Sequence, residues 1–212
     1  MGGILLLYDL LLLPFLSVLS YSLFPGSARL EVRMLHWVKA LPGAEIDFSV
    51  YRPFIRNGWF RKHFMMFVYA LMVLLCVLCL MTGGERGIGV LPRLLVTVAV
   101  FLVHELLHIL VVYSIGEIYM MHSGIFFWLH SDAEMSKGRF WLFMTLPFLG
   151  LTVMPAVLLF FVSGPAVPWL KWTAWINAII ASSDIINSVL ILLKPRGSFF
   201  WRGYYRVGQA GD

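Results

Sequence analysis

Long apolar windows constrain the fold of this chain more than any other feature of its sequence. Four of them run for about 20 residues, the length that a helix needs to cross the hydrocarbon core of a bilayer. Two are plainly apolar, residues 63–81 and 140–163, and two carry polar groups inside, residues 93–114 and 172–193. With 60% hydrophobic and 13% charged residues, the composition is not that of a soluble globular protein. The sequence therefore predicts an all-α polytopic membrane protein.

A fifth apolar window opens the chain at residues 4–24. It lacks a basic flank and an obvious cleavage site, and Asp9 and Pro14 interrupt it. These features favour a retained hydrophobic anchor or a re-entrant segment, spanning residues 1–24, over a cleaved signal peptide. The number of predicted transmembrane helices is therefore four to five.

Basic residues gather on one predicted side of the membrane. Thirteen of the 16 lysines and arginines lie in residues 25–62, in residues 115–139 or after residue 193. Since Lys and Arg mark cytoplasmic loops, we expect an integral protein of a prokaryotic cell membrane with a cytoplasmic C-terminus. We expect no nucleic-acid partner, because the basic residues follow the membrane topology and show no interleaved aromatic platform.

The same pattern divides the chain into predicted segments. Residues 25–62 form a cytoplasmic juxtamembrane segment, residues 63–194 an intramembrane core and residues 195–212 a cytoplasmic tail. Within the core, residues 117–130 place aromatic and β-branched residues on both sides of Ser123 and Gly124, which predicts a small β-hairpin. Such a hairpin is either an edge that pairs with an extended peptide or an interfacial aromatic loop.

The third long window contains the stretch HELLH, residues 104–108. Residues i and i+4 of a helix lie on one face, so His104 and His108 can share a zinc ion, and Glu105 can take a proton from water. Polar residues that merely satisfy one another between helices are the alternative, although each ionisable group at mid-membrane costs about 2.5–3.5 kcal/mol on insertion scales. A haem held by both histidines would leave Glu105 unexplained.

A catalytic zinc site needs a third protein ligand and an open position for water. Glu117, Asp132 and Glu134 follow the motif in or near predicted loops, whereas Asp184 is the only carboxylate in the last apolar window. Counted from the predicted cytoplasmic ends, HELLH and Asp184 both lie about 12–14 Å into the membrane. The shared depth favours Asp184 as the third ligand, in a site nearer the cytoplasmic face.

Small and polar residues surround Asp184 along one helix face. This stripe comprises Thr173, Asn177, Ala181, Asp184 and Ser188. Small residues allow close helix approach, and an amide can orient a metal ligand or hold a substrate carbonyl. We therefore expect supporting or substrate-binding roles for three side chains near the proposed ligand: Asn177, Ser183 and Asn187.

At these residues the chain resembles the intramembrane zinc metalloproteases of the site-2 protease type. It is most similar to a branch of short zincin peptidases, a domain of unknown function, in which a Ser or Gly precedes the Asp; here the segment reads SSDIIN, residues 182–187. The resemblance covers roughly residues 60–200 and implies that His104, His108 and Asp184 are zinc ligands and that Glu105 is the catalytic base.

The chain departs from the site-2 protease pattern around this Asp. That pattern is N-x-x-P-x-P-x-L-D-G, whereas this chain reads NAIIASSD from Asn177, without either proline and without the glycine. The spacing from Asn177 to Asp184 is also one residue shorter than in the pattern. The proline-broken helix that helps to seat a substrate in the family is therefore not predicted here.

The resulting hypothesis is an intramembrane zinc metalloprotease that hydrolyses membrane-spanning or membrane-associated peptides. Pro147, Gly150 and Pro155 weaken the neighbouring span, which acts either as a gate or as an ordinary kinked helix. The alternative function is a non-catalytic membrane metal-binding protein. A transporter would need polar groups leading to both membrane faces, and a peptide-binding pseudoprotease would have no need of Glu105.

The remaining chemistry-bearing residues have simpler readings. Cys76 and Cys79 lie inside an apolar window without polar neighbours, which favours small core residues over a redox or metal pair. Four further histidines lie in predicted loops or at predicted membrane boundaries, which indicates solvated or interfacial positions: His36, His63, His122 and His130. The sequence does not predict the substrate's identity or the oligomeric state.

Overall fold

The computed structural model describes residues 35–38, 46–84, 86–113, 115–123 and 126–208, and its side chains except at 35–38 and 120–130. The predicted anchor at residues 1–24 lies outside the described residues. The chain divides into two compact units, Met1–Glu45 with Ile109–Glu134 and Ile46–His108 with Met135–Asp212.

The described elements are mostly helical. In chain order they are β1 (Leu35–Val38), β2 (Arg52–Pro53), α1 (Gly58–Met81), α2 (Val90–Val112), β3 (Ile118–Ser123), β4 (Phe126–Ser131), β5 (Met135–Ser136), α3 (Lys137–Phe148), a π-helical segment (Leu149–Val153), α4 (Met154–Leu158), α5 (Ala166–Ile180), α6 (Ser182–Leu192), β6 (Ser198–Trp201) and β7 (Tyr204–Val207).

The first unit contains a three-stranded sheet in the order β1, β3, β4. Strands β3 and β4 are antiparallel, with Ser123 opposite Phe126, so the predicted hairpin is confirmed. Its two connecting residues, 124 and 125, lie outside the described residues. Strand β1 pairs with β3 in parallel, with Leu35 opposite Ile118. The side chain of Asp132 closes the base of the hairpin, because its Oδ1 accepts the Glu117 N–H at 2.8 Å.

The second unit holds the helices that match the apolar windows. Three stretches are long and apolar enough to cross a membrane, namely α1, α2, and α3 continued through the π-helical segment into α4. A fourth qualifies if α5 and α6 count as one span. Helix α1 begins sharply because the Asn57 side chain accepts the Phe60 N–H at 3.0 Å. Among the described residues, the structure thus offers three or four candidate spans.

The predicted weak point near Pro147, Gly150 and Pro155 corresponds to the π-helical segment. There the Met154 N–H bonds to the Leu149 carbonyl, five residues back, where an α-helix would reach back four. Pro155 has no N–H to continue the α-helical pattern, so the wider turn absorbs the irregularity. The span is therefore locally widened at this point.

The last apolar window is broken despite having no proline. Helices α5 and α6 meet at Ala181 with a bend of 63°. The Ser182 hydroxyl donates to the Ile179 carbonyl at 2.8 Å, a local hydrogen bond of the kind that competes with helix continuation. The sequence predicted one span over residues 172–193, so this bend is a difference, and it follows from an Ala-Ser-Ser run.

A second sheet, in the order β2, β7, β6, β5, corrects the all-α class. Its hairpin turns at Arg202 and Gly203, with φ of 46° and 81°. Positive φ at both central residues is typical of a two-residue hairpin turn, so the predicted tail at 195–212 contains ordered strands. One face of this sheet contributes to an apolar cluster, here called the sheet cluster, formed by Phe54, Ile191, Phe200 and Tyr205.

Two lysines attach this sheet to the helices. Lys137 donates to the carbonyl of Leu192 at 2.9 Å and to that of Lys194, and Lys194 in turn donates to the Phe54 carbonyl. Burial, with a smaller contribution from the nearby Arg56 charge, lowers the pKa of Lys194. Lys137 therefore satisfies carbonyls at the C-terminal end of α6, and Lys194 joins that end to Phe54, next to β2.

Candidate metal centre

Three side chains bring one potential metal-ligand atom each to a common point in the second unit. The Nε2 atoms of His104 and His108 lie 3.1 Å apart, and Asp184 Oδ2 lies 3.0 Å from the first and 3.3 Å from the second. The three residues are buried, with exposures of 2%, 6% and 9%. They form a group that can hold a metal ion.

Two helices deliver these atoms. Helix α2 presents His104 and His108 one turn apart on one face, as the spacing of four residues requires. Asp184 lies in the first turn of α6, directly after the bend at Ala181. Helix α6 packs against α3, whose backbone supplies a further contact to the site. The predicted juxtaposition of HELLH with Asp184 is thus present in the structure.

A proline frees the backbone group that orients His108. His108 Nδ1 lies 2.7 Å from the Phe143 carbonyl oxygen, which only accepts hydrogen bonds, so Nδ1 is the donor. In an α-helix that carbonyl would accept the N–H of residue 147, but Pro147 has none. The carbonyl is therefore open to the imidazole, and His108 directs an unprotonated Nε2 toward Asp184 when the ring is neutral.

An amide orients His104 in the same sense. Asn177 Nδ2 donates to the Pro147 carbonyl at 3.1 Å and to Thr152 Oγ1 at 2.9 Å. Because the carbonyl can only accept, this end of the amide must be the NH₂ group, and Oδ1 faces His104. His104 Nδ1 donates to that Oδ1 at 2.9 Å, which leaves its Nε2 as the free lone pair.

This donor set fits zinc better than it fits a closed hydrogen-bond network. With both Nδ1 atoms protonated, two neutral imidazoles turn lone pairs toward each other and toward a carboxylate, and none of the three atoms can donate. A cation resolves that conflict. Tetrahedral zinc with bonds of about 2.0–2.1 Å separates its ligand atoms by about 3.3 Å, close to the three observed distances.

Glu105 adds a second buried carboxylate beside the cluster. It is 7% exposed and interacts electrostatically with both histidines and with Asp184. Two carboxylates with two neutral imidazoles carry a charge of about −2, and burying such a charge without a counter-ion is strongly unfavourable. A divalent cation would balance it.

The supporting residues proposed from the sequence differ in their contacts. Asn177 contacts His104 directly, and it is fully buried. Ser183 makes a long contact, with its Oγ 3.4 Å from Asp184 Oδ1. Within the described part of the chain, no hydrogen bond links Asn187 to the three ligand residues.

Sequence reasoning missed two contributors to the site, the Phe143 carbonyl and the Thr152 hydroxyl. A signal for the first was present, because Pro147 inside an apolar run indicates an unpaired carbonyl four residues earlier. A lone threonine in a span gives no comparable signal.

One known protein family is similar to part of this chain. Residues 97–199, a little under half of the chain, match the model of the family DUF3267, described as "Putative zincin peptidase". The matched region includes both histidines, Glu105 and Asp184. It supports a zincin-like peptidase family, suggests metalloprotease activity and implies zinc. No curated protein and no solved structure matches the chain.

Proposed function

We propose that the protein is an intramembrane zinc metalloprotease of the site-2 protease type. The observation that carries this proposal is the convergence of His104 Nε2, His108 Nε2 and Asp184 Oδ2, with both imidazoles held so that their lone pairs meet the carboxylate. The matched family supports the peptidase part of the proposal. The intramembrane part is supported by the candidate spans.

Zinc bound by His104, His108 and Asp184 would supply a Lewis acid that acidifies water and polarises a peptide carbonyl. Glu105 follows His104 directly on α2, and its carboxylate would act as the general base. It takes the proton from the attacking water and returns it to the leaving amine. Asp184 and the two imidazoles would hold the metal, and Asn177 and the Phe143 carbonyl orient the imidazoles.

The substrate class follows from the elements that surround the site. The histidines lie on α2, which is long and apolar enough to cross a membrane, and Asp184 lies on α6, which qualifies together with α5 as a bent pair, so we expect a membrane-spanning or membrane-associated peptide as the substrate. A helical peptide hides its carbonyls in its own hydrogen bonds and must be extended before hydrolysis. The bend at Ala181 and the π-helical segment interrupt the helices beside the site.

Exchange of Glu105 for glutamine tests this function. Glu105→Gln keeps the size of the side chain and removes its basicity, so we expect zinc content to stay near one per chain while cleavage falls by about 10²–10⁴-fold. Cleavage can be followed without a known substrate by labelling new N-termini in membranes that contain the wild type or the variant. Glu134→Gln, in the loop before β5, is the matched control.

Three results would bear on the proposal. New N-termini in wild-type and Glu134→Gln membranes that vanish with Glu105→Gln would support it. Equal sets of N-termini in all membranes, with zinc bound throughout, would contradict proteolysis and favour a non-catalytic metal-binding protein. Absence of zinc from the purified wild type would contradict the metal centre itself.

A further inference from the structure

We propose that the π-helical segment is a positioning element of the metal centre, and that Thr152 within it holds in place the Asn177 amide that orients His104. This inference rests on the proposed zinc site. Thr152 and Pro147 do not donate to or accept from any of the three ligand atoms, and they are therefore positioning residues. The argument depends on which hydrogen-bonding groups surround the Asn177 amide.

An asparagine alone would not select one tautomer. Its amide has an oxygen and an NH₂ group of nearly equal shape, and exchanging the two would turn Nδ2 toward His104. His104 Nδ1 would then have to accept, its proton would move to Nε2, and the lone pair facing Asp184 would be lost. Something must therefore fix the orientation of the amide.

The Pro147 carbonyl on the far side of the amide fixes its orientation, and Thr152 adds a second hydrogen bond. The Pro147 carbonyl and Thr152 Oγ1 both take a hydrogen bond from Asn177 Nδ2, at 3.1 and 2.9 Å. Exchanging the amide ends would place its oxygen against the carbonyl, where neither atom can donate. The Thr152 hydroxyl can donate as well as accept, so it does not select the orientation; it gives the second amide hydrogen a partner and holds the amide in place, and it does so from a side chain that can be altered.

The π-helical turn explains how Thr152 reaches the amide. Successive residues of an α-helix are rotated by about 100°, so the extra residue of a π turn changes the direction of every side chain that follows within it. The same helix approaches α2 closely, since a Cβ placed on Gly150 would lie 3.5 Å from Leu107 Cδ1. The wider turn therefore aims Thr152 at α5 beside the HELLH helix.

The same broken helix also serves the second imidazole. Pro147 leaves the Phe143 carbonyl open, and His108 Nδ1 donates to it at 2.7 Å. Residues 143–152 thus orient both histidines, although they contain no metal ligand. The irregular geometry of this span therefore positions the two histidine rings of the metal centre.

Removal of the Thr152 hydroxyl tests the inference. Thr152→Val keeps the shape of the side chain, and Thr152→Ser keeps the hydroxyl. Loss of one neutral hydrogen bond is worth about 0.5–1.5 kcal/mol, so we expect zinc affinity to fall by about 2–10-fold in Thr152→Val and to recover in Thr152→Ser. Affinity is measured on the purified full-length protein by competition with a chelator. Thr97→Val is the control, because the Thr97 hydroxyl bonds only to the Arg93 carbonyl, away from the site.

A second readout separates positioning from general stability. In metal-free protein labelled with ¹⁵N-histidine, the ring-nitrogen shifts report the tautomer; we expect His104 to be Nδ1-protonated in the wild type and in Thr152→Val, because the Pro147 carbonyl still selects the amide orientation. Pro147→Ala, which restores an N–H that competes for the Phe143 carbonyl, should weaken zinc binding without lowering helix content. If Thr152→Val or Pro147→Ala does not fold, zinc binding by the other variant tests the positioning role.

The outcomes distinguish this inference from the proposed function. A wild type that binds no zinc contradicts the proposed function. A wild type that binds zinc, with Thr152→Val equal to Thr97→Val in affinity, overturns the positioning role alone. Reduced affinity in Thr152→Val with rescue by Thr152→Ser supports it.

Discussion

Helices α3 and α6 carry two regions of opposite character. Toward one end they bring Asp184 and the Phe143 carbonyl to the two histidines of α2. Toward the other end they bring Ile191 and Phe140 to the sheet cluster. Seven residues, or about 10 Å of helix, separate Asp184 from Ile191 along α6. Neighbouring parts of the same two helices are thus organised by different interactions.

The difference concerns what each region specifies. In the sheet cluster, aromatic and aliphatic side chains pack on one another; the rings of Phe54 and Phe200, for example, have centroids 5.7 Å apart. Such contacts depend on area and shape and stabilise the fold. In the metal centre, buried polar atoms are arranged by hydrogen-bond direction, which leaves three acceptors facing one point. We expect changes in the first region to affect stability and changes in the second to affect metal binding.

The largest expected effect comes from the ligand carboxylate. Asp184→Ala should reduce bound zinc from about one per chain to near zero and abolish cleavage, because two imidazoles alone do not complete the site. The metal-free variant should unfold at the same temperature as the metal-free wild type or higher, since a buried carboxylate is removed. Metal analysis and thermal unfolding in detergent check both parts. Full zinc content in the variant would contradict the assignment of Asp184.

The sheet cluster should give the converse result. Phe200 is 2% exposed, and Phe200→Ala should lower the free energy of unfolding by about 3–5 kcal/mol while zinc per folded chain stays unchanged. Phe160→Ala is the matched control, because Phe160 is 85% exposed and its loss should change stability by less than about 1 kcal/mol. A Phe200→Ala protein that folds normally yet loses zinc would show that the two regions are coupled.

The two regions also differ in how far the sequence predicted them. His104 and His108 follow from helical spacing, and Asp184 follows from its depth in the last apolar window. The orientation of the imidazoles does not follow, because it depends on the Phe143 carbonyl and on Thr152, which lie 35 and 48 residues from the histidines that they serve. Such contacts arise only when the helices pack.

The sheet cluster was less accessible to sequence reasoning. The segment SFFWRGYYRV, residues 198–207, has two aromatic-rich runs around Arg-Gly, which is a hairpin signal, but its basic residues favoured a cytoplasmic tail. The bend at Ala181 was missed for a different reason. Proline is the usual cause of a sharp break, whereas here a serine hydroxyl bonds to the preceding turn.

X-ray absorption at the zinc edge of the purified full-length protein tests the central claim most directly. The account predicts a shell of nitrogen and oxygen atoms at about 2.0–2.1 Å from the zinc, together with outer-shell scattering from two imidazole rings. Asp184→Ala should give little zinc signal, because it loses the metal. Among the described residues, Cys76 and Cys79 form no disulfide, and their thiols are the obvious competing ligands. A sulfur shell at about 2.3 Å, or a wild-type protein without zinc, would contradict the account.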